Sequence, residues 1–125
     1  MNETTRLSVN NDFNNVNRLY FKNKLRTAVR CRNEASINNL IWSLDYVKKE
    51  GLQPVNFDDP KSFWVFLNFW LNKYDICNLL SINIVDYKRM DFFFFQDYPV
   101  IDPEINSRYI ALRKYCREYY GKIKL

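Results

Sequence analysis

The sequence predicts a mainly α-helical domain of four to five helices arranged around one central apolar helix. Three observations lead there. Apolar residues recur at helical spacing in several stretches, each preceded by an Asp or Asn suited to a helix start. One stretch, Phe63 to Leu71, is apolar on nearly every side, the pattern of a helix enclosed by its neighbours. At 125 residues, 47% of them apolar, the chain suits a single domain that buries about two-thirds of its unfolded surface.

Residues 1–11 are polar and aperiodic and read as a flexible arm, leaving 12–125 as the domain. The first helix is expected from Asp12 to Arg32, with Phe13, Val16, Tyr20, Phe21, Ala28 and Cys31 on its apolar face. The second starts at Asn33 and carries Ile37, Leu40, Ile41, Leu44 and Val47 at helical spacing. Lys48 and Lys49 suit its last turn, and Gly51 its left-handed cap. The third opens on Asp59-Pro60, where proline's missing N–H costs nothing. Between Tyr74 and Tyr98 two readings stay open: helix, or a short β segment near residues 81–98. The last helix opens on Asp102-Pro103 and is expected to end at Gly121. The residues after the two Asp-Pro starts do not align, so no internal repeat is assigned.

Composition narrows the chemistry. The chain has no histidine, hence no imidazole base, nucleophile pair or metal ligand. Its two glycines both fall at expected helix ends, leaving none for a phosphate-cradling loop. Cys31, Cys77 and Cys116 are far apart, odd in number and without a CxxC pair, so they read as buried thiols of a reducing, intracellular compartment. No cofactor, metal or membrane span is expected. The wealth of Asn, Ile, Lys, Tyr and Phe matches AT-rich codons and suggests a low-GC source such as a virus, phage, parasite or Firmicute-like bacterium.

Two short patterns bear on catalysis. Ile82 to Lys88 runs from an apolar stretch into Asp86-x-Lys88, which resembles the second half of the PD-(D/E)xK nuclease motif, with Asp58 or Asp59 as the other acid. Such nucleases use two acids to hold a cation and a lysine to position water. Tyr98 to Asp102 loosely resembles the aspartate loop of helix-hairpin-helix DNA glycosylases. Asp86 and Lys88 are better explained as the solvated end of an element, and Asp102 as a helix cap. A metal-dependent nuclease is therefore the lesser alternative.

Charge distribution carries the functional expectation. From Phe13 to Asn33 there are six Lys or Arg and no acid, and from Arg108 to Leu125 six more against one Glu. From Glu34 to Ser107 acids outnumber bases by eleven to six. Arg18, Lys22, Arg26 and Arg30 stand at successive i, i+4 positions and form one cationic stripe, whose mutual repulsion needs an offset. Arg113, Lys114 and Arg117 add a second basic set on the last helix. The expected function is a small basic binding protein contacting nucleic acid or another polyanion, or an acidic protein, through these residues. Against this stands pairing of the stripe with the chain's own acids, such as Asp86, Asp91 and Asp97. The alternative role is a protein–protein adaptor, inhibitor or assembly subunit, since aromatics and arginine are common interface anchors. Trp64 and Trp70 are assigned to the core, and Trp42 lies beside the apolar face of its helix. Oligomeric state does not follow from the sequence.

Overall fold

The structure, a computed structural model, describes residues 18–29, 31, 33–52, 55–96 and 101–124. The expected arm, the Asp12 cap, Arg30, Asp97 and the Tyr98–Val100 stretch lie outside the described residues. Within them the chain forms six helices: α1 (18–29), α2 (Glu34–Lys49), α3 (Pro60–Trp70), α4 (Lys73–Leu80), α5 (Ile84–Phe95) and α6 (Pro103–Lys122). No strand occurs among the described residues, so the β reading of residues 81–98 gives way to helix from Ile84 to Phe95.

Helices α2 to α6 each begin with an Asn or Asp whose side chain accepts a backbone N–H of the first turn. Asn33 takes the N–H of Ser36 at 3.0 Å, Asp59 that of Lys61 at 3.1 Å, and Asp102 those of Glu104 at 2.8 Å and Ile105 at 3.2 Å. The boundary between α4 and α5 is set the same way. Asn72 accepts from Asp75 and Asn83 from Asp86, both at 2.8 Å. Each such cap contributes about 1 kcal/mol.

The helix ends divide between glycine and a substitute. Gly51 takes φ +62°, and Leu52 donates its N–H back to the carbonyl of Val47 at 3.1 Å, closing α2 as expected. Gly121 instead lies inside α6, which runs on to Lys122. The other left-handed residue among those described is Ser81, with φ +54°, at the end of α4. Arg108 reaches across from α6 and donates to the carbonyls of Leu80 and Ser81, each at 2.7 Å, satisfying acceptors the helix itself cannot.

The hub of the fold is the short helix α4, which packs against α2, α3, α5 and α6. The expected central helix, α3, sits nearer the edge and packs chiefly on α4 and α6. It buries Phe63, Trp64, Phe66 and Leu67 but leaves Val65 and Phe69 exposed. Helix α1 contributes Phe21, Leu25 and Val29 to the core. Helices α2 and α4 are joined by a buried polar knot. Asp75 accepts from Ser36 at 2.8 Å and from Asn39 at 3.3 Å, and Asn78 donates to the Ser36 hydroxyl at 3.2 Å. These bonds replace the hydration a buried carboxylate loses.

Trp64 is fully enclosed by Tyr87, Phe94 and Tyr109, with ring centroids 5.3–6.0 Å away. Its indole N–H donates to Asp91 at 2.8 Å, and the Tyr109 hydroxyl donates to the carbonyl of Pro60 at 2.5 Å. Burial holds the Tyr109 phenol well above its ordinary pKa. The three cysteines are buried free thiols, and burial likewise raises each of them, most of all Cys116.

Candidate interaction surface

The cationic stripe of α1 lies along the edge facing α2, and the acids that meet it come from that helix. Arg18 pairs with Asp45, which also accepts from the Tyr119 hydroxyl at 2.7 Å. Arg26 pairs with Glu34, and Lys22 stands 3.7 Å from the same carboxylate. The repulsion along α1 is therefore offset within the fold, by Glu34 and Asp45 and not by Asp86 or Asp91. Burial lowers the Arg18 pKa, but the hydrogen bond and charge of Asp45 outweigh it and leave the guanidinium above its ordinary value. Pairs this exposed each contribute about 0.2–1 kcal/mol.

The basic set of α6 engages other elements. Arg117 pairs with Asp58 at 2.5 Å, ahead of α3, and Arg113 lies 5.8 Å from the centroid of the Tyr109 ring. Lys114 is exposed. Asp86 and Lys88, the residues of the nuclease-like pattern, sit in a helix and not at a strand end. Asp59 is occupied as the cap of α3. Among the described residues no three side chains are grouped to hold a metal ion.

A different surface stands open. Trp42 and Tyr46, one turn apart on α2, stack at 5.0 Å with their planes 14° apart. Trp70, at the end of α3, meets both, with centroids 6.4 Å from Trp42 and 5.5 Å from Tyr46. Phe69 adds a fourth ring, edge-on to Trp70 at 5.2 Å. These rings form a continuous aromatic shelf, yet Trp42 is 57% exposed and Phe69 76%. Val65 extends it one turn back along α3. The rings stand on α2 and α3, and their stacked, tilted and edge-to-face contacts join them into one row.

Beside Trp42, between α1 and α2, runs a groove of about 340 Å³ lined by Arg18, Leu19, Lys22, Asn38, Ile41 and Trp42. On the far side of Tyr46, Lys49 stands exposed one helical turn on. The shelf thus has an apolar centre and basic side chains at both ends.

Of the residues expected to bind, Arg18 and Lys22 border this surface through the groove. Arg26 pairs elsewhere along α1, and the α6 set does not share its contacts. Trp70, assigned to the core, is half-buried: it packs against the core cluster and also meets the rings of Trp42 and Tyr46. Tyr46 and Phe69 were not singled out by the sequence. Their signal was present: at i+4 from Trp42 and from Val65, each extends an aromatic or apolar row off the face its helix buries.

No described helix is long and apolar enough to cross a membrane. The chain matches no protein-family model, no curated protein and no solved structure.

Proposed function

We propose that this chain is a binding protein that docks another protein on the Trp42–Tyr46–Phe69–Trp70 shelf, in the manner of an adaptor or assembly subunit. The observation that carries this reading is a connected row of four rings on α2 and α3 in which Trp42, Tyr46 and Phe69 are exposed. Soluble domains seldom expose contiguous apolar surface without a use for it. Aromatic side chains dominate interface hot spots because they bury much area at small entropic cost. Lys49, exposed at one end of the shelf and in no ion pair among the described residues, favours a partner with an apolar centre and an acidic group at that edge, since charge complementarity sets encounter and register.

The cationic stripe supports a polyanion reading less well. Arg18, Lys22 and Arg26 already have carboxylates within the fold, so a phosphate would compete with Asp45 and Glu34 for them.

A photo-crosslinking side chain placed at Val65 in the intact chain, activated in the producing cell, tests the docking proposal. The expected result is one discrete protein adduct that disappears when Phe69→Ser or Trp42→Ser is added. No adduct, an adduct unaffected by those changes, a nuclease-sensitive adduct, or an adduct of two copies of this chain would each overturn it.

A further inference from the structure

On the other edge of α1, two lysines distant in sequence meet at one exposed tyrosine. Tyr20 is 54% exposed and lies in the shallow seam between α1 and α6. Lys24, one turn on along α1, places its Nζ 5.4 Å from the Tyr20 ring centroid. Lys122, in the last turn of α6, places its Nζ 5.3 Å from the same centroid. Unlike Arg18, Lys22 and Arg26 on the opposite edge, neither lysine has a carboxylate in ion-pair contact among the described residues. Among the described residues Glu118 is the one acid lining the seam, against these two cations.

Two ammonium groups gathered at one ring gain from its quadrupole but repel each other. Anions received by the two lysines offset their charge, and a lysine binds phosphate as a point charge without demanding a fixed geometry. Once the lysines turn from the ring to an anion, the exposed Tyr20 ring is free to stack on a planar group. The seam holds only about 20 Å³, too little to enclose a small molecule, so a ligand here must gain from length. A flexible chain that repeats phosphate and planar ring meets all these conditions; an acidic polypeptide supplies the charge but no regular planar group.

We propose that the α1–α6 edge binds single-stranded nucleic acid, with Lys24 and Lys122 on backbone phosphates and Tyr20 stacked on a base. The two basic ends of the chain thereby form one site, away from the shelf and resting on different residues.

Fluorescence anisotropy of a labelled oligothymidylate with the full chain, titrated with salt, tests this. Binding at low salt should weaken linearly in log–log form. Lys24→Gln with Lys122→Gln should lower affinity at least tenfold and flatten the slope by about 0.7 per lysine. Tyr20→Ala should lower affinity about tenfold with little change in slope. Arg26→Gln, on the ion-paired edge, and Phe69→Ser, on the shelf, should leave affinity within about twofold. Circular dichroism confirms that each variant is folded. Absence of binding at low salt overturns the proposal. So does affinity insensitive to the lysine pair, loss confined to Phe69→Ser, or equal competition by polyglutamate. The photo-crosslinking result rests on the shelf residues, so failure of the α1–α6 site through the lysine pair or Tyr20 leaves it untouched.

Discussion

The chain carries two aromatic clusters of similar make-up and opposite fate. Around Trp64 the rings of Tyr87, Phe94 and Tyr109 close completely, and each buried polar atom described there finds a partner: the indole N–H on Asp91, the Tyr109 hydroxyl on Pro60, the Tyr87 hydroxyl on Asn68. Around Trp70 the rings of Trp42, Tyr46 and Phe69 pack at similar distances but remain open on one side. Both tryptophans belong to α3, six residues apart. Aromatic content alone therefore does not separate core from interface. What separates them is whether another helix covers the rings, as α5 and α6 cover Trp64.

The contrast predicts very different costs for similar substitutions. Trp64→Ala removes the centre of the closed cluster and should lower unfolding free energy by about 3–5 kcal/mol, read from the urea midpoint. An effect below 1 kcal/mol would mean that the cluster is not the core. Asp91→Ala keeps the rings but strands a buried indole N–H. It should cost about 1–3 kcal/mol, and Trp64→Phe in the same background should recover part of the loss by removing the orphaned donor. Phe69→Ser on the open shelf should change stability by no more than about 0.5 kcal/mol, checked by the same denaturation. A loss as large as that of Trp64→Ala would make the shelf part of the core and remove the ground for a docking role.

Helix starts were the most legible part of the fold. Asn33, Asp59 and Asp102 were readable because a cap requires one residue type at one position followed by a regular apolar rhythm. The starts of α4 and α5 carried a comparable sign, Asn72-x-x-Asp75 and Asn83-x-x-Asp86, yet short helices with mixed composition left the strand reading open. Gly51 was readable as a left-handed cap, whereas Ser81 was not, because its conformation is held by the αL cap hydrogen bonds of α4 and by Arg108, which arrives from α6.

The candidate surfaces were less legible. The α1 stripe could be read as four spaced cations, but its carboxylates stand on the next helix, Asp45 lying 27 residues beyond Arg18. The convergence of Lys24 with Lys122 on Tyr20 joins opposite ends of the chain. Neither relation has a spacing rule along the sequence.

Local chemistry therefore settled the helical class, most of the caps and the absence of an imidazole, because these depend on residue type and on neighbours within a turn or two. The packing of helices against one another settled which cations are neutralised, which tryptophan is enclosed and which stands in the open. Burial and pairing are properties of the opposing surface, and that surface comes from residues far along the chain.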